Sequence, residues 1–257
     1  MGPLGKTSAL KKIAITGSNG SVGRRVVLRA LQERGYHVVG IDHSALVTAD
    51  DRELGSNFSF LQALEGCEAI IHLAAYPRPG DYKVVVHNSN VVISWNILRA
   101  AAELGIKRVA QASSVNVITM VYSQAPRFEF FPIDEVTLPA SSLVGAAPAP
   151  LLRRNLDVAR AKNDLWGYVQ EDSAAEAFML AITQPTDSWP SASEAFFIVA
   201  PETTFDGNTS ELLQEHWPNV PIKEGKGLSG NAGLFDCSKA KRLLGWVHNP
   251  SLGTVDA

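Results

Sequence analysis

Lys12-Ile-Ala-Ile-Thr-Gly-Ser-Asn-Gly-Ser-Val-Gly23 is the stretch that decides how this chain is read. Ile13, Ala14 and Ile15 form a short apolar run that predicts a strand. Gly17, Gly20 and Gly23 follow it at the spacing of a glycine-rich turn. A helix is predicted from the turn to about Arg34, stopped by Gly35, since glycine takes a left-handed cap without steric cost. Tyr36 to Ile41 predicts a second strand, and it ends on Asp42. An acid about 20 residues past the glycines completes a βαβ dinucleotide-binding unit. Gly17 permits the tight turn, Gly20 lets backbone approach a pyrophosphate, and Gly23 lets helix pack on strand. The N–H groups opening the helix then face the phosphates. Asp42 would accept from both adenosine ribose hydroxyls, which favours NAD over NADP, because a 2′-phosphate would meet a carboxylate. Arg24 and Arg25 beside the turn leave NADP open.

The bulk numbers suit a globular α/β chain. Of 257 residues, 46% are hydrophobic and 19% charged, enough for one large domain or a domain with a small appendage. The net charge of −3 gives no basic footprint for nucleic acid or an anionic membrane. Cys67 and Cys237 make neither a disulfide framework nor a metal-ligand spacing, so no metal is expected and both read as reduced cysteines. No apolar run reaches ~18 residues, the length a membrane helix needs. The first twelve residues lack a signal core, so a cytoplasmic protein is expected. Gly5-Lys6-Thr7 ends like a P-loop, but the first glycine of that motif would fall before Met1.

Further along, Phe58 to Leu61 predicts a third strand and Ala69 to Ala75 a fourth, with only Gln62 to Glu68 between them. Parallel neighbours need a crossover of about a dozen residues or more. Ala63 to Cys67 has the look of the last turn of a helix whose beginning is missing. A long helix is predicted from Lys83 to Leu104, with Val85, Val92, Trp95, Leu98 and Ala102 near helical spacing and Gly105 as its stop. Ile106 to Ala112 predicts a fifth strand, followed by Ser113 and Ser114. Ala74, Ala75, Ser113 and Ser114 thus fall at the carboxyl ends of strands, where a doubly wound sheet binds its ligands. His72, inside an apolar strand, reads as a packed core residue. Later, 172–183, 209–216 and 238–244 predict helices and 195–199 a strand, with Phe178, Met179 and Leu180 of the first helix inward.

Thr16-Gly-x-x-Gly-x-x-Gly23, His72-Leu-Ala-Ala75, Asn90-Val-x-x-Ser-x-Asn96 and Ser113-Ser-Val-Asn-Val117 occur in that order. Together they resemble the extended short-chain dehydrogenase/reductase family, the NAD-dependent epimerase/dehydratase group. Phe131-Pro-Ile-Asp-Glu135, Gly167-Tyr-Val-Gln-Glu-Asp172 and Asp236 to Trp246 resemble later family segments. The resemblance implies a Rossmann-like doubly wound parallel sheet with a small C-terminal substrate lobe. It implies that Gly17, Asn19, Gly20, Val22 and Gly23 contact the cofactor phosphates, and Asp42 the ribose. Leu73, Ala74 and Ala75 would line the adenine side, Asn90 would be the structural asparagine of the long helix, and Ser114 the catalytic hydroxyl. It further implies a small-molecule substrate, a sugar nucleotide or related carbonyl or alcohol compound, and allows a homodimer.

The family's Tyr-x-x-x-Lys is absent. The residues four past the tyrosines are Gly40, Gly80, Val86, Pro126 and Asp172. Where the pair belongs, 139–164 is rich in Ala, Pro and Ser and reads as an irregular linker. Residues 1–138 are then the cofactor-binding core, and 165–257 the remaining core elements plus the small lobe. Two internal deletions are expected, one before the fourth strand and one at the catalytic helix. Three readings stand: an oxidoreductase or epimerase of reduced activity, a non-catalytic NAD-binding module, or an inactive truncated product.

Overall fold

The computed structural model describes residues 12–33, 35–42, 57–76, 86–115, 128–135 and 161–250. They belong to two compact units, dividing between Gln111 and Ala112.

The first unit holds β1 (Lys12–Thr16), α1 (Ser21–Leu28), β2 (His37–Ile41), α2 (Asn57–Leu64), β3 (Ala69–His72), α3 (His87–Glu103) and β4 (Arg108–Gln111). The four strands are all parallel, in the order β2-β1-β3-β4. From β1 the chain moves outward to β2, then returns to the other side of β1. The order therefore reverses between β1 and β3, which opens a crevice at their carboxyl ends. Thr16 lies opposite Ile41 on one side and His72 on the other, and His72 lies opposite Gln111. The central strands are apolar on both faces, as parallel strands covered on both sides must be. Ile13, Ile15 and Ile71 are buried on one face. Ala14 and Ile70, on the other, pack with Leu64 of α2 and with Ile97, Ala100 and Ala101 of α3.

One expectation is corrected here. Residues 58–61 are not a strand but part of α2. Phe60, Leu61 and Leu64 reach the core at helical spacing, and a four-residue apolar run cannot by itself distinguish strand from helix. The short stretch before β3 is then a helix-to-strand loop, of ordinary length for one. The crossover helix expected to be missing is α2 itself. The long helix is seen as α3, and three of the apolar positions noted along it face solvent, with Trp95 65% exposed and Val92 and Leu98 about half exposed. The face on the sheet is Ile93, Ile97, Ala100 and Ala101.

The second unit contains α4 (Glu171–Thr183), α5 (Thr209–His216) and α6 (Ser238–Leu244). Its core is aromatic, built on Phe131, Trp166, Phe197 and Phe235 with Leu212 and Leu234. Asn208 caps α5, its side chain accepting from the Ser210 N–H. In α4 the buried side includes Ala174, Ala177, Met179 and Ile182, while Phe178 and Leu180 are half-buried. The strand expected at 195–199 forms no ladder among the described residues. Its backbone is satisfied otherwise: Phe197 N–H donates to Glu135 Oε1 at 2.7 Å, and Ala200 N–H to the Tyr168 carbonyl at 2.6 Å. The linker expected at 139–164 lies outside the described residues up to 160.

Candidate functional site

The glycine turn sits where β1, β2 and β3 end. Gly17 has φ +69°, and its N–H donates to the Ile41 carbonyl of β2 at 2.8 Å. A Cβ on Gly17 would stand 2.8 Å from Ala74 N and from Leu73 C, so glycine is required twice over. Gly20 closes the turn by donating to the Gly17 carbonyl at 3.0 Å. A Cβ on Gly23 would come within 2.0 Å of that same oxygen. Only a bare backbone there lets α1 start against the turn. Gly20 brings no capping side chain, and helix geometry gives the N–H groups of Ser21, Val22 and Gly23 no intrahelical acceptor. The end of α1 is therefore a positive, donor-rich surface beside the crevice.

Asp42 follows β2 directly, and its Oδ2 accepts the Asn19 N–H at 2.9 Å. That bond ties the carboxylate to the turn. Ser18 is buried, and a Cβ on Gly40 would meet its Oγ at 3.0 Å. Ser18 and Gly40 thus pack as a pair that keeps the end of β2 close to the turn, a role that glycine spacing alone did not reveal.

Thr16 was also missed. Its carbonyl accepts the Leu73 N–H at 3.1 Å, and its Oγ1 accepts from Leu73 N at 3.3 Å and Ala74 N at 3.2 Å. A hydroxyl on the last strand residue before the turn was the available signal. His72 is buried as expected, with Nδ1 2.6 Å from Thr16 Oγ1. Burial lowers its pKa to about 4, so it is neutral at physiological pH. Asn90 of α3 clamps the other end of the same segment: its Oδ1 accepts the Tyr76 N–H at 2.8 Å and its Nδ2 donates to the Tyr76 carbonyl at 3.3 Å. Residues 73–76, Leu73, Ala74 and Ala75 among them, are therefore held at both ends.

The structure gathers Gly17, Asn19, Gly20, Val22, Gly23, Asp42, Leu73, Ala74, Ala75 and Asn90 within the first unit, whereas Ser114 belongs to the second. Ser114 follows β4 by three residues and is half-buried. Tyr168 does not have the setting of a catalytic tyrosine. Burial, and then the Glu202 carboxylate to which its hydroxyl donates at 3.4 Å, raise its pKa. A proton-transferring tyrosine needs a cation to lower it. Asp236 and Lys239 are occupied structurally: Asp236 bonds the Ser238 N–H at 2.9 Å and Lys226 at 2.9 Å, and Lys239 pairs with Glu194 at 2.7 Å. Among the described residues no three His, Cys, Asp or Glu side chains are grouped to hold a metal ion, and no helix is long and apolar enough to cross a membrane. Cys67 and Cys237 are free thiols.

Residues 13–140 match the NAD dependent epimerase/dehydratase family. L-arabinose 1-dehydrogenase (NAD(P)(+)) of Haloferax volcanii is 31% identical over 113 residues, 43% of this chain and 44% of that protein. dTDP-6-deoxy-L-talose 4-dehydrogenase (NAD(+)) of Aggregatibacter actinomycetemcomitans is 31% identical over 117 residues, 41% of this chain and 42% of its own length. The matched part thus spans under half the length of these relatives. Among solved structures, a short-chain dehydrogenase/reductase superfamily protein from Agrobacterium tumefaciens, with bound NAD, superposes with a TM-score of 0.62 at 17% identity. That superposition covers 94% of this chain and 93% of the other, and it shows the Rossmann-like fold.

Proposed function

The chain belongs to the NAD-dependent epimerase/dehydratase family, and from that premise we propose that it binds NAD across the carboxyl ends of β1, β2 and β3. The observation that carries this reading is the Asn19–Asp42 bond, which sets a carboxylate beside a glycine turn with no room for side chains. The pyrophosphate lies on the α1 N–H groups. Asp42 accepts from the adenosine ribose, and the clamped 73–75 segment walls the adenine side. A carboxylate in that place selects NAD over NADP.

The substrate class is a sugar nucleotide or a related carbonyl or alcohol compound. NAD, when bound, supplies the hydride acceptor. Ser114 would supply the hydroxyl that orients the substrate oxygen, and the sequence holds no Tyr-x-x-x-Lys to take its proton. Loss of one such group costs ~10²–10⁴ in rate. The same absence, with the raised pKa of Tyr168, favours a second reading: an NAD-binding module without turnover.

Calorimetry with NAD tests the binding. Wild type binds, and Asp42→Ala weakens it about tenfold or more through the lost ribose bonds while narrowing the preference over NADP. No NAD binding by wild type overturns the proposal. Hydride exchange between bound NAD and UDP- or dTDP-sugars, abolished by Ser114→Ala, selects the enzyme over the module.

We further propose a homodimer through the exposed face of α3. Val91, Trp95 and Leu98 lie at i, i+4 and i+7 and are each about half exposed or more, an apolar stripe that solvent alone leaves costly. Sedimentation of wild type as a dimer and of Trp95→Glu as a monomer is expected. A monomeric wild type overturns it.

A further inference from the structure

Thr16, His72 and Gln111 are in-register neighbours on β1, β3 and β4. In-register residues of a parallel sheet project from one face, here the face that α3 covers, since Gln111 Nε2 donates to Ser94 Oγ of that helix at 3.0 Å. The hydrogen bonds fix where the protons lie. Thr16 Oγ1 accepts from Leu73 N and Ala74 N, and a hydroxyl oxygen has two lone pairs and one proton. Its proton therefore goes to His72 Nδ1, 2.6 Å away. A neutral imidazole that accepts at Nδ1 carries its own proton on Nε2.

A ring whose Nδ1 edge meets β1 turns its Nε2 edge toward β4. Gln111, its in-register neighbour on β4, has a buried amide oxygen with no hydrogen-bond partner among the described residues. A buried acceptor left so costs ~1–3 kcal/mol. A fixed donor and an orphaned acceptor thus belong to neighbouring residues of the same polar layer.

We propose that a single buried water sits between His72 Nε2 and Gln111 Oε1, accepting from the first and donating to the second. It closes a hydrogen-bonded chain from Thr16 through His72, the water and Gln111 to Ser94. The chain joins the strand ends of β1, β3 and β4 to α3 and makes Gln111 a positioning residue for the His72 ring. None of this depends on the NAD reading.

Nitrogen-15 NMR of His72, together with a high-resolution crystal structure of wild type, tests the site. The expected result is the Nε2–H tautomer, with a water within hydrogen-bond distance of both His72 Nε2 and Gln111 Oε1. An Nδ1–H tautomer, or a direct His72–Gln111 bond with no water, overturns the proposal. In Gln111→Leu the tautomer should persist, because Thr16 sets it, while the water is lost. A water held unchanged in that variant overturns the role of Gln111. Both wild-type measurements decide the question even where the variant does not fold.

Discussion

Gly23, in the first turn of α1, and Gly35, beyond that helix, are glycine for different reasons. Gly35 has φ +64° with open space where a Cβ would go. Gly35→Ala should therefore cost only the left-handed strain, about 1–2 kcal/mol, and leave NAD binding intact. A Cβ on Gly23 would press on the Gly17 carbonyl at 2.0 Å, and the backbone of the turn itself has to move. Gly23→Ala should cost about 1–3 kcal/mol as overpacking and abolish NAD binding as well. Thermal melts and calorimetry on both variants separate the two, and equal NAD affinities would refute the distinction. At this scale the sequence was informative where steric necessity leaves a mark. The glycine spacing and Asp42 could be read directly, and the structure joins them through Asn19. Ser18 and Gly40 could not, because their packing depends on how the end of β2 meets the turn, and of Thr16 only the hydroxyl was visible, its partners being set by strand register.

Several elements were legible even though they are short. The helices now seen as α5 and α6 fall on the residues expected, β1 runs one residue further at each end, and β2 starts one residue later. Residues 58–61 failed because Phe-Ser-Phe-Leu alternates like a strand and also carries part of a helical face. The helix-like turn after it was the contrary clue, and Leu64, fully buried, is where that clue leads. In α3 a helix with apolar residues all round gives no sequence rule for which face is inward. The small residues Ala100 and Ala101 settle it, since they allow close approach to the sheet. The other end of α3 carries Asn90, whose two bonds to Tyr76 hold the 73–76 segment. Asn90→Ala should destabilise by about 1 kcal/mol and raise hydrogen exchange at the Tyr76 amide. The protection of β3 should stay as in wild type. Unchanged exchange at Tyr76 would remove Asn90 from that role.

For the molecule as a whole, pH gathers these local effects into one measurable curve. Burial lowers the His72 pKa to about 4, against about 6.5 in the unfolded chain. Between those values the unfolded state holds the extra proton. Stability therefore falls as pH falls through the window, by roughly 3 kcal/mol at its lower end. His248, lowered by burial against the pull of Glu202, acts in the same direction. In Asp236 burial pushes the carboxyl up, but the bonds from Lys226 and Ser238 outweigh it; Glu194 behaves alike under Lys239 and Ser191. Both carboxyls stay below the usual range, so their contribution holds above it and is lost on further acidification. Glu135 opposes them: burial raises its pKa despite the Phe197 N–H bond, so its share is present in acid and lost as pH rises through the folded value. Asp236 and Glu194 thus act below the interval from about pH 6.5 to 5, in which the buried His72 loses stability as pH falls while Glu135, raised above its ordinary value, works in the opposite sense. Wild-type Tm should decline there, and His72→Asn, which keeps an acceptor for the Thr16 hydroxyl, should flatten most of that decline. Parallel curves for the two proteins would mean that His72 is not buried neutral, and the polar layer built on it would fall with that.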